Sequence, residues 1–302
     1  MTFFTNGIYA QSSGGTGNVS VTSGSIDVSG ARAWGLYARS FGGAVNVDSG
    51  SIITSGLSGR GIYAVGLTDV SVISDSIVTT GEKASANANA ADGIFAANQT
   101  GDITIDSDTI QTSGQGAVGI YANAPLGAVS VISDSISTAG DQAVGIWVQA
   151  PTGAISLVSG DIETDGSAAD GIRIDGGTGD VSVTAETVNV AGLGAEAITI
   201  TTTTGDITLD VGTLINTGAF DTSINRNASG VRVSSQGGAI AVTADLIELA
   251  SFDSMGINAD TQNADIAIYS GSIFGSGTAG AIIEASTTGI GQIMNNSDSL
   301  AG

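Results

Sequence analysis

The chain predicts an all-β fold, a right-handed parallel β-helix, on three observations. One four-residue phrase, clearest at Gly119-Ile120-Tyr121-Ala122, returns along nearly the whole sequence. The steps between its successive starts are 28, 26, 32, 26, 26, 26, 26, 33, 26 and 25 residues, which is a solenoid period. Between the phrases stand short alternating runs of Val, Ile, Ser and Thr broken by Gly, Asp and Asn, and only 12% of residues are charged. That is the composition of strands and turns.

The phrase is the first strand of each coil. It reads Gly7-Ile8-Tyr9-Ala10, Gly35-Leu36-Tyr37-Ala38, Gly61-Ile62-Tyr63-Ala64, Gly93-Ile94-Phe95-Ala96, then Tyr121 and Trp147 at the same third position. It continues with Arg173, Thr199, Arg232 and Asn258 there. A turn follows, Asn123 to Gly127 in the coil of Tyr121, and both prolines, Pro125 and Pro151, fall in this turn, where no ladder donor is needed.

The second strand carries an aliphatic pair, such as Val129/Val131 or Ile155/Leu157, and the third opens on one aliphatic residue, such as Ile136 or Ile162. Between them runs a corner of small or acidic residues that includes Asp75, Asp108, Asp134 and Gly160. Segments of three to five residues are too short to pair as hairpins, so each pairs with its equivalent one coil away. Period-two alternation then sends the aliphatic columns to one interior. At about 4.8 Å per coil, about eleven coils make a rod about 50 Å long. Propeller blades need four strands in about 40–45 residues, and leucine-rich repeats need Leu and Asn at fixed places, and neither pattern is present.

The two long steps enlarge one corner, between the third strand and the next phrase, through Glu82 to Ala91 and Ala219 to Ala228. Residues 1–302 therefore read as one β-helix domain. The repeat runs from Gly7 to near Ile290 without a polar cap, so the expectation is a piece of a longer solenoid.

Composition excludes several functions. There is no cysteine and no histidine, which removes disulfides, thiol chemistry and imidazole catalysis. The net charge of −22 opposes nucleic acid and anionic membrane surfaces. No apolar run approaches the length of a membrane span, and Met1 to Asn6 lack the pattern of a secretory signal.

The Gly-aliphatic-aromatic-Ala phrases, the Gly-Asp/Ala-Val-Ser-Val strands and the Ser-Asp-Ser-Ile corners resemble the passenger region of bacterial autotransporters, over about Gly7 to Met294. The resemblance implies an extracellular protein of the bacterial cell surface, secreted by the type V route. A structural stalk or adhesin is the function it suggests, with a surface glycan or protein receptor as partner.

The strongest candidate site is the third column of the phrase: Tyr9, Tyr37, Tyr63, Phe95, Tyr121, Trp147, Arg173 and Arg232. A column that changes from aromatic to arginine cannot face an apolar interior, because an unpaired buried charge is too costly. It is therefore expected to face outward as an exposed ladder, open to a glycan, a receptor or a further copy of the chain. Arg39 and Arg60 are expected in or beside the same wall.

The aspartates admit calcium as the one cofactor, with Asp75, Asp108 and Asp134 in one column and Asp69, Asp102, Asp180, Asp206 and Asp265 in another. Solvated turn residues are the simpler reading, with no cofactor and no metal site. Enzymatic readings lack a clustered carboxylate groove, a triad and a phosphate loop, so the expectation is a non-enzymatic protein. Two alternatives stay open: a self-assembling filament or surface-layer subunit, and a polysaccharide-processing β-helix.

Overall fold

The computed structural model describes residues 6–83, 90–250, 254–275 and 283–301. These form two parallel sheets and no helix. An 11-stranded sheet is built from the phrase strands, from Ile8–Ser12 through Ile120–Asn123 to Ile283–Thr288. A 12-stranded sheet holds the second and third segments, from Val19–Ser23 to Ile293–Ala301. We call them the short-strand and long-strand sheets. Every strand pairs with its own equivalent one coil before and after: Tyr121 lies between Phe95 and Trp147, and Val131 between Ile105 and Leu157.

The three segments per coil are present, and the second and third run on as one bent strand in all but the first coil. In Val129–Ala139 the ladder joins Ser133 to Ser159 and Ser135 to Asp161, and only the corner residue between is unpaired. One unpaired residue bends a strand without ending it. In the first coil Val19–Ser23 and Ile26–Val28 stay separate, and both pair with Val45–Thr54.

The expected aliphatic columns form the core. Ile120, Ala122, Val131, Ile146 and Ile155 are at most 2% exposed, and one continuous cluster runs from Val19 to Ile273. A buried polar column accompanies it. Thr54, Thr112, Thr138 and Thr164 each donate a hydroxyl to the carbonyl five residues on, at 2.9–3.0 Å, which stitches the third strand to the next corner. In the coil that carries the second long corner, Asn216 takes this place and donates to the carbonyls of Ala195 and Ser229.

Close stacking explains the corner glycines. A Cβ on Gly153 would stand 1.9 Å from the Gly127 carbonyl oxygen, one coil below, and the neighbour is backbone that cannot turn aside.

Candidate contact surface

The short-strand sheet delivers the aromatic column outward, because Ile120 and Ala122 on either side of Tyr121 point into the core. The rings stack in sequence: Tyr9 on Tyr37 at 4.6 Å between centroids, Tyr37 on Tyr63 at 5.0 Å, Tyr63 on Phe95 at 5.2 Å and Phe95 on Tyr121 at 5.0 Å. Interplanar angles along this run are 3°, 8°, 7° and 20°. Tyr121 meets Trp147 edge-on, at 5.2 Å and 82°.

This stacking changes what the ladder offers. Parallel rings cover each other's faces, so the wall presents ring edges and phenol oxygens. Tyr9 is 60% exposed, but Tyr37 is only 8% exposed, because Trp34 packs on it at 5.2 Å and on Tyr63 at 4.8 Å. The other rings are half-buried. Burial also pushes the Tyr63 and Tyr121 phenols above their ordinary pKa, so both stay protonated donors.

Around Trp147 the wall becomes polar. Trp147 Nε1 donates to Asp175 Oδ2 at 2.8 Å, and the Arg173 guanidinium lies 4.9 Å from the Trp147 ring centre. Tyr121 donates its hydroxyl to Gln149 Oε1 at 2.6 Å, and Gln149 Nε2 donates to Asp175 Oδ2 at 3.3 Å. Arg173 is held to Asp175 only loosely, at 3.6 Å with 43% of its side chain exposed.

Beside the ladder runs a second column that sequence reasoning recognised only at Arg60, the residue just before each phrase: Trp34, Arg60, Asp92, Asp170 and Glu196 among others. Arg60 is 7% exposed, paired to Asp92 at 2.9 Å, with its guanidinium 4.3 Å from the Phe95 ring centre. Asp92 also accepts from the Val118 backbone N–H at 3.0 Å, and Asp170 from that of Glu196 at 2.9 Å. The second long corner folds over this column. Its Asp221 and Arg226 form an antiparallel bridge, and Arg226 reaches Asp170 at 2.8 Å and Glu196 at 3.2 Å. Arg232 pairs with the other Glu196 oxygen at 2.8 Å.

Burial pushes the carboxyls of Asp92 and Asp170 above the usual range, although Arg60 and Arg226 pull the other way. Asp221 moves down instead, held by the Ser223 hydroxyl and backbone N–H. The signal for the whole column was in the sequence: an aromatic, a cation and three acids at one repeat position.

Residues 84–89 of the first long corner lie outside the described residues. Glu82, at its start, accepts from the Gln115 backbone N–H at 3.1 Å.

The aspartates at the start of the second strand have a structural task. Asp69 accepts from the backbone N–H of Asp102, Asp102 from that of Ala128, Asp180 from that of Asp206, Asp206 from that of Ala239 and Asp265 from that of Gln292, at 2.7–3.0 Å. Each carboxylate thus satisfies a corner donor one coil away. Asp75, Asp108 and Asp134 are exposed at the other corner. Among the described residues no group of three or more Asp or Glu converges to hold a metal ion.

All seven basic residues belong to one side of the rod: Arg39, Arg173 and Arg232 on short strands, and Arg32, Arg60, Lys83 and Arg226 in the corners that enter them. No family model, no curated protein and no solved structure matches this chain.

Proposed function

We propose that the chain is a non-enzymatic structural and adhesive protein: a stiff β-helical stalk whose short-strand wall presents contacts to a surface glycan or protein receptor. One observation carries this reading. A ladder continuous from Tyr9 to Tyr121 ends at Trp147 in a cluster of side chains with free hydrogen-bonding capacity, Arg173, Asp175 and Gln149. Stacking of Tyr63 on Phe95 alone would be met by any flat ring, whereas an indole turned out of the stack and ringed by polar groups is the composition of a binding hot spot. Because the inner ring faces are covered, recognition runs through ring edges, hydroxyls and the Trp147 cluster. The resemblance to autotransporter passengers supports an extracellular, cell-surface setting.

The test is adhesion of beads coated with the purified chain to a panel of immobilised glycans and cell surfaces. Trp147→Ala and Tyr121→Ala are expected to cut adhesion about tenfold, with the β-sheet circular dichroism unchanged. Adhesion that ignores both substitutions overturns the assignment of the wall. Release of reducing ends from a polysaccharide in the panel overturns the non-enzymatic reading.

A further inference from the structure

The long-strand sheet differs in its charge. The strands of the long-strand sheet hold fourteen Asp or Glu residues and no Lys or Arg. Its field is therefore of one sign, whereas the short-strand side mixes all the basic residues with acids.

Within that acidic wall lies an apolar row. Ile73, Ile132 and Val158 occupy one outward position of the bent strands and are 48%, 46% and 46% exposed. In register they run Ile73, Asp106, Ile132, Val158 on four successive coils. Asp108 and Asp134, two residues further along their strands, stand exposed at the adjoining corner. Aliphatic side chains set among carboxylates are not explained by the stacking of the coils, since their inward neighbours Val131 and Leu157 already fill the core.

Beside the row the wall is concave. A shallow groove of about 500 Å³ shares the coils of Asp106, Ile132 and Val158 and runs on past them, lined by Thr104, Ser130, Ser156 and Ser182 together with Asp102 and Asp180. Short hydroxyl side chains leave room there for another chain to approach.

We infer that this face of the long-strand sheet docks a cationic amphipathic segment of another protein, one that lays aliphatic side chains on Ile73, Ile132 and Val158 and Lys or Arg among Asp106, Asp108 and Asp134. Charge complementarity selects the partner: the carboxylates repel acidic and nucleic-acid surfaces and speed the approach of basic ones. The apolar row gives the register, because charge alone has no fixed one. Metal ions are a poor fit, since no group of three acids converges among the described residues. This inference rests on the reading of the rod as a contact-presenting body, but on a different wall from the aromatic one.

The experiment uses the full chain and a labelled helical peptide of about 18 residues, leucine on one face and lysine on the other, which spans about 27 Å, or between five and six coils. Fluorescence anisotropy at physiological ionic strength gives the affinity. The amphipathic peptide is expected to bind at least about tenfold more tightly than a scrambled peptide of the same composition. The double substitution Ile132→Lys with Val158→Lys should remove about that preference. Both positions are solvent-facing, so an unchanged melting curve certifies the fold, and Asp106→Asn with Asp134→Asn supplies a charge-only variant of nearly equal shape.

Equal binding of the scrambled peptide, or indifference to both variants, overturns the proposal and leaves general polyelectrolyte attraction. Light scattering that shows self-association abolished by Ile132→Lys also overturns it, because the occupant is then a second copy. Tyr121→Ala and Trp147→Ala must leave the peptide affinity unchanged. A loss there moves the docking to the aromatic wall, which sinks this inference while sparing the adhesive reading.

Discussion

A serine at one buried position of the bent strand shows how little of a repeat is strictly required. Ser74, Ser107, Ser133 and Ser159 are each 2% exposed, and their hydroxyls have no hydrogen-bond partner. The equivalent residues in the following three coils are Ala185, Val211 and Ala244. A buried hydroxyl without a partner costs about 1–3 kcal/mol. Ser133→Ala is therefore expected to stabilise the chain by about 1 kcal/mol, read as a higher denaturant midpoint with an unchanged slope. A lower midpoint means that the hydroxyl is bonded in solution. The threonine five residues on is the opposite case, since Thr138 donates to Ala143 at 2.9 Å and its loss would strand a carbonyl.

The element at issue is the corner, where coils approach most closely. The turns that lead into the short strands place Arg32, Ser58, Gln142 and Ala168 at positive φ, between 53° and 61°, and Gly116 and Gly194 at 62°. A left-handed residue in each of these six turns is thus a property of the turn, tolerated even by side chains that disfavour it at about 1 kcal/mol or more. At the corner before the long strands the constraint at Gly153 is steric contact with the coil below. Gly153→Ala is expected to cost more than about 2 kcal/mol, because its Cβ would overlap the Gly127 carbonyl oxygen at 1.9 Å. Asp134→Ala, at the exposed acidic corner, should change stability by less than about 0.5 kcal/mol. Equal losses in the two variants, followed by urea unfolding, would contradict the stacking assigned to these corners.

For the whole molecule, acidity and burial act in the same direction. Asp92 and Asp170 have folded pKa values raised by burial, with Arg60 and Arg226 opposing the rise. Protonation then favours the folded chain: the contribution is complete below the ordinary carboxylate pKa and is lost as pH rises through the raised folded values. Relief of self-repulsion in a chain of net charge −22 adds to it. The melting temperature is expected to rise from neutral to mildly acidic pH. Asp170→Asn should lose part of that rise, while Arg226 keeps its contact with Glu196 at 3.2 Å. A rise of undiminished size in the variant would assign the whole effect to the net charge.

The architecture was legible in the sequence because a repeat protein writes each coil's neighbours at a fixed spacing. The phrase at Tyr9, Tyr37 and Tyr63 and the pairs such as Val129/Val131 sufficed to place the core, the turns and the outward face. Of the candidate surface, the outward aromatic column and the side that holds Arg39, Arg173 and Arg232 were legible for the same reason.

Contacts between side chains from different columns were not, since period gives position along a strand and says nothing of reach across a corner. Only the tertiary structure brought Arg226 to Asp170, 56 residues away, turned Trp147 edge-on to Tyr121, and committed the Asp69 and Asp102 carboxylates to backbone donors one coil on. Columns are set by backbone pairing, which the sequence period dictates. The faces, edges and partners that a column offers are set by rotamers and burial, which exist only once the coils are stacked.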